Sequence, residues 1–180
     1  RFSRDWSSDV CSSDLRISRL NAEEKRRGVV AFSSGNHAQG VAFACARAGL
    51  SASIVVPRGN SPEKNAAMRA LGAELIEYGE DFSSSLDHAR ALADERGLRF
   101  FPSFHRDLVA GVASYALELF DAVTDLDTVY VPIGLGSGIC AVMAARDALG
   151  LSTRVVGVVA ERAPAYALSF EKGEPVASER

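Results

Sequence analysis

From Arg16 to the C-terminus the chain alternates short β-branched or apolar runs with longer segments of helical character, the pattern of βα units built on a parallel sheet. The runs GVVAF (28–32), ASIVVP (52–57), AELIEY (73–78), LRFF (98–101), TVYVP (128–132) and RVVGVVA (154–160) predict strands. Between them HAQGVAFACARAG (37–49), SPEKNAAMRALG (61–72), DFSSSLDHARALADERG (81–97) and the segments around 107–123 and 138–149 predict helices. Punctuation agrees with periodicity: Ser61 is placed to cap a helix whose first turn holds Pro62, and Gly49 and Gly72 close the helices before them. After Pro102 the rhythm breaks at PSFHRD, a candidate crossing between two lobes. No internal repeat, heptad or low-complexity tract interrupts the alternation.

Composition narrows the class without changing this picture. A chain of 180 residues, 47% hydrophobic and 24% charged, has the makings of a buried core in one or two domains. Its formal charge is −3 and its basic residues are dispersed among acids, which argues against a nucleic-acid footprint. No apolar run approaches the roughly 18 residues of a membrane helix, and RFSRDWSSDV lacks the apolar core of a secretory leader. Cys11, Cys45 and Cys140 are far apart, which favours neither a zinc site nor a disulfide framework and fits a reducing cytoplasm. Cys45 reads as core and Cys140 as a packing residue behind the loop that precedes it. Residues 5–15, DWSSDVCSSDL, resemble the translation of a sequencing-library adapter, so residues 1–15 are expected to be a non-native segment outside the fold.

Two strand-to-helix loops carry the candidate chemistry. VAFSSGNHAQG (30–40) sets two serines, a glycine, an asparagine and a histidine between a strand and a helix. From spacing alone two readings stay open: Ser33 or Ser34 is an N-cap, or the loop offers hydroxyls and backbone N–H groups to a ligand. PIGLGSGICA (132–141) alternates Gly134, Gly136 and Gly138 after a strand and opens a helix, which lets backbone N–H groups and the helix dipole meet a phosphate. A tight packing turn is the other reading. The loop departs from the dinucleotide fingerprint G-x-G-x-x-G, since Ile139 stands where the third glycine belongs. That weakens the reading as a dehydrogenase or nucleotide-binding module, in which Glu161 contacts a ribose.

SSGNHAQGVA, preceded by LNAEEKRRGVV and followed at the expected distance by VPIGLGSGICA, resembles the threonine and serine dehydratases of the fold type II pyridoxal-phosphate enzymes, serine racemases included. The resemblance covers residues 16–180. It implies a two-lobed α/β fold of the tryptophan synthase beta type, with parallel sheets and helices on both faces. The implied divisions are 16–27 as a remnant of the large domain, 28–105 as the small domain and 106–180 as an incomplete large domain. It implies pyridoxal 5′-phosphate as cofactor and a small β-hydroxy amino acid, threonine or serine, as substrate of an ammonia-lyase yielding a 2-oxo acid and ammonia. By the same resemblance Ser33, Ser34, Gly35 and His37 line the site of the substrate carboxylate, and Asn36 lies beside the cofactor ring. Gly134, Leu135, Gly136, Ser137 and Gly138 hold the phosphate. Ser34 matches the serine that exchanges a proton in serine racemases, so an amino-acid racemase is the alternative on this scaffold. A homo-oligomer, a dimer at full length, and a cytoplasmic location are also implied.

Some of the family pattern is missing. The lysine that carries the cofactor lies, in the family, in an SFKxRGA-like stretch just before the segment matched by RISRLNAEEKRRG, where the adapter-like residues stand here. Lys25, Lys64 and Lys172 have other contexts and read as solvated helix or loop residues, so the chain as it stands is expected to be inactive. The cation site of serine racemases would begin at Glu161, but Ala167 occupies its second acidic position, so no metal is expected. His88 and His105 have no ligand spacing and read as surface or lobe-junction residues.

Overall fold

In a computed structural model of the chain, which describes residues 7–177, the run Val29–Phe32 forms β1 and is buried along its whole length. The burial follows from its place in the sheet. Strands β2 (Ala52–Val56), β3 (Glu74–Glu77) and β4 (Arg99–Phe101) join it in the parallel order β3-β2-β1-β4, with Val29 opposite both Ala52 and Arg99. Successive β1 side chains enter different cores. Val29 and Ala31 pack with α3 (Asn36–Ala48), Met68 of α4 (Pro62–Ala70) and Leu108 of α6 (Arg106–Ala122). Val30 and Phe32 pack with Ala89, Leu92 and Ala93 of α5 (Phe82–Arg96). A strand covered on both faces reads as a continuous apolar run rather than an alternation, as VVAF does.

Two helices that the periodicity did not predict precede β1: α1 (Ser7–Ser18) and α2 (Ala22–Arg27). The adapter-like segment thus contributes to the fold from Ser7 onward. Its small polar residues conceal a packed face, for Ser12 and Ser13 are buried and α1 lies against α3. Arg16 and Arg19 reach from α1 and its following turn to the buried Asp107 in the first turn of α6, Arg16 at 2.8 Å. Burial alone would raise the Asp107 carboxyl, but the two arginine hydrogen bonds outweigh it and hold the group below the ordinary range.

Gly111 of α6 marks how closely α1 approaches. A Cβ there would stand 2.5 Å from the Ser12 Cα and 2.8 Å from the Cys11 carbonyl oxygen, backbone atoms that no rotamer change can move. Gly111→Ala is therefore expected to lower unfolding free energy by about 2–3 kcal/mol through overpacking. Urea unfolding measures it, and an unchanged midpoint would mean that α1 does not pack there.

The chain divides into two compact units between Gly111 and Val112, within α6. Residues 16–27 belong to the first of these units. The second unit is a two-stranded parallel sheet, β5 (Thr128–Pro132) and β6 (Arg154–Val158), with α7 (Ser137–Ala148) and α8 (Ala165–Lys172). Its core gathers Ala116 and Phe120 with Val131, Val142 and Ala145. Among the described residues no helix is long and apolar enough to cross a membrane.

Candidate functional site

Each motif loop follows the carboxyl end of a parallel strand and opens a helix. The first follows β1, which has β2 on one side and β4 on the other. The chain runs β1 to β2 to β3 outward and then returns to the far side of β1, so this loop sits at the point where strand order reverses, the place where open α/β sheets bind ligands. Ser33 extends β1 by donating its N–H to the Val55 carbonyl at 3.3 Å. The Ser103 hydroxyl, from the loop after β4, donates to the Phe32 carbonyl at 3.0 Å and ties the two strand ends together.

The structure resolves the choice between a serine cap and an open helix end. The N-cap of α3 is Gly35, and no side chain caps the helix. The Ser33 hydroxyl accepts the Gly35 N–H at 3.2 Å, a local turn outside the helix. Ser34 is exposed, as is Asn36, while Ser33, Gly35 and His37 are partly buried. A Cβ on Gly35 would meet nothing within 4 Å, so the backbone faces open space at the helix start.

The second loop has the same construction. Gly136 is the N-cap of α7, in the left-handed region at φ 97°, again with no side-chain cap. Only glycine adopts that conformation without strain. The Gly134 backbone also faces open space, and Gly134 and Leu135 are exposed, while Gly136, Ser137 and Gly138 are partly buried. Three other helices are capped by side chains, Asn21 capping α2 in a capping box with Glu24, Ser61 capping α4 and Asp81 capping α5, whereas α8 starts at Pro164 with no side-chain cap. Helix N-termini need partners for their unpaired N–H groups. The two motif helices instead present glycine, the arrangement that leaves those groups to an anion.

His37 is the perturbed group of the first loop. Its Nε2 is buried without a hydrogen-bond partner, and burial pushes the imidazole down from 6.5 to about 4. At neutral pH the ring is neutral. Because the folded-state value lies below the unfolded one, His37 favours the folded state fully above about pH 6.5, and that contribution fades as pH falls towards 4. Between pH 7 and pH 5 the loss should be on the order of 2 kcal/mol. Urea unfolding at the two pH values measures it, and His37→Gln should remove most of the difference; an equal difference in the variant would assign it to other groups.

The other histidines have structural partners. His105 accepts the Asp107 N–H on Nδ1 at 3.1 Å at the start of α6, with its proton affinity lowered by burial and then by Arg16. His88 stacks on Tyr78 at 3.8 Å between ring centroids. Cys45 is core, whereas Cys140 is exposed and does not pack behind the glycine loop as its sequence suggests. Lys64 and Lys172 are exposed on α4 and α8, and Lys25 is partly buried on α2. No group of three metal-ligating side chains gathers among the described residues. Sequence reasoning did not find Tyr166, whose hydroxyl reaches the glycine loop from α8. An isolated tyrosine some 30 positions from the loop it touches leaves no local signal.

Each loop, taken by itself, presents a helix start without a side-chain cap. The sequence profile of the family described as "Pyridoxal-phosphate dependent enzyme" matches residues 12–180. The catabolic L-threonine dehydratase TdcB of Escherichia coli (strain K12) is 36% identical over 160 residues, which is 88% of this chain and 49% of that protein. The L-threonine ammonia-lyase of Thermotoga maritima is 36% identical over 159 residues, 88% of this chain and 40% of that one. In three dimensions the processed form of threonine deaminase isoform 2 from Solanum lycopersicum superposes with a TM-score of 0.89 at 32% identity, covering 97% of this chain and 51% of that one. Maize serine racemase superposes with a TM-score of 0.90 at 28% identity, covering 95% and 52%. The chain spans about half the length of the relatives it matches. With parallel sheets, helices on their faces and a family match over nearly its whole length, the chain belongs to the pyridoxal-phosphate dependent enzymes of fold type II.

Proposed function

We propose that the full-length protein is an ammonia-lyase that deaminates L-threonine, L-serine or another β-hydroxy amino acid to a 2-oxo acid and ammonia. The observation that carries this reading is the 36% identity over 160 residues to an L-threonine dehydratase, in a chain whose two motif helices start at glycines without side-chain caps. The proposal includes a homo-oligomeric, cytoplasmic enzyme, as the family resemblance implies.

The roles follow from the chemistry of the loops. The uncapped start of α3, with the Ser33 and Ser34 hydroxyls and Gly35, binds and orients the substrate carboxylate. Neutral His37 adds no charge to that loop. Asn36 contributes an amide beside the cofactor ring. Gly134 through Gly138 hold the cofactor phosphate on backbone N–H groups, with the Ser137 hydroxyl available as a further donor. Bound pyridoxal phosphate supplies the electron sink that makes the α-proton of an amino acid acidic. Ser34, exposed at the loop, is the hydroxyl proposed to move a proton.

The 180-residue chain tests the assignment of its lysines. Incubated with pyridoxal phosphate and reduced with borohydride, it should give sparse, scattered lysine adducts by mass and no 2-oxo acid from L-threonine or L-serine. A stoichiometric adduct at Lys25, Lys64 or Lys172 together with turnover would overturn that assignment. The full-length protein should release 2-oxo acid and ammonia. Inversion of serine without ammonia, read by chiral chromatography, would replace the lyase by the racemase.

A further inference from the structure

We propose that Tyr166 is a positioning residue for the phosphate-binding loop, an inference that rests on the cofactor role given above to Gly134–Gly138. The loop is fastened at both ends by its backbone. Ile133 donates its N–H to the Val158 carbonyl at 2.8 Å, and Cys140 donates to the Gly136 carbonyl at 3.1 Å in the first turn of α7. Between these points the chain has little to hold it. Gly134 touches nothing that a side chain would meet, and the Leu135 side chain is exposed. The Tyr166 hydroxyl, at the start of α8, donates to the Leu135 carbonyl at 3.2 Å.

That bond fixes more than one carbonyl. The Leu135 C=O and the Gly136 N–H belong to one planar trans peptide and point in opposite directions. A hydroxyl that holds the carbonyl on the α8 side therefore turns the Gly136 N–H to the other side of the loop. Gly136 then turns at φ 97° and ψ −4° and starts α7. Without the hydroxyl this peptide can rotate, since glycine at 136 tolerates many conformations. The N–H groups would have to be ordered again when a phosphate binds, and affinity falls accordingly. Tyr166 acts through the loop and needs no contact with the ligand.

The test titrates the 180-residue chain with pyridoxine 5′-phosphate and with pyridoxine, neither of which has an aldehyde to react with lysines. Calorimetry is run on wild type, Tyr166→Phe and Gly136→Val, with circular dichroism and the unfolding midpoint as folding controls. Tyr166→Phe keeps the ring and is expected to bind pyridoxine 5′-phosphate about three- to tenfold more weakly, the effect of one net hydrogen bond, with pyridoxine unaffected. The Gly136 amide should exchange its hydrogen faster in the variant, which gives a reading independent of the ligand. Wild-type affinity and wild-type exchange in Tyr166→Phe, with binding lost in Gly136→Val, would overturn the role of Tyr166 and leave the loop assignment standing. Equal weakening for both ligands would make Tyr166 a general packing residue and also overturn the proposal. Failure of the wild type to bind, or full binding by Gly136→Val, would overturn the loop assignment itself.

Discussion

Ser34→Ala in the full-length enzyme is expected to lower kcat/KM for L-threonine by about 10²–10⁴-fold, the range of a lost general acid or base. The hydroxyl lies in an exposed loop beyond the end of β1, and α3 takes its N-cap from Gly35 instead. Its removal should therefore leave the helix start and the fold intact, so the loss appears in turnover and not in stability. Cofactor affinity should change little, because the loop assigned to the phosphate is a separate segment, 134–138. Steady-state kinetics together with a cofactor titration separates these quantities, and an unchanged kcat/KM would remove Ser34 from the mechanism. Serine racemization measured on the same variant shows whether that reaction depends on the same hydroxyl.

Gly136→Val is expected to do the reverse and cost about 100-fold in cofactor affinity. Gly136 sits at φ 97°, where a β-branched residue is strained by roughly 1–3 kcal/mol. The loop escapes the strain by turning its peptides, which takes N–H groups away from the phosphate. Charge-assisted hydrogen bonds of that kind contribute about 1.5–3 kcal/mol each, so strain and lost contacts together reach the predicted loss. The fold of the first unit, with its own sheet and cores, should be unaffected. Equilibrium dialysis of the cofactor measures the effect, and normal retention would reduce the loop to a packing turn.

The sequence alone determined the βα alternation, because its signals are local. Apolar runs such as VVAF and ASIVV can be buried on both faces, and Gly49 and Gly97 stop their helices in the left-handed conformation. Each predicted strand is present in the structure, with ends that differ by at most two residues. It also located both strand-to-helix turns, since serine, asparagine and glycine end an apolar run and precede a helical pattern. What it left undecided depends on backbone geometry or on contacts distant in the chain. Whether the serines cap α3 depends on local backbone geometry that residue types do not dictate, and the N-cap is Gly35 instead. The strand order β3-β2-β1-β4, which places the first loop where the order reverses, arises from the return of β4 across about 70 positions to pair with β1. Helix α1 has no periodic apolar stripe to announce it; it is held where Ser12 meets Gly111 and Arg16 meets Asp107. The unpartnered, neutral state of His37 and the hold of Tyr166 on Leu135 likewise exist only in the folded chain. Burial and hydrogen-bond partners are properties of the surroundings, and tertiary packing alone assembles those surroundings.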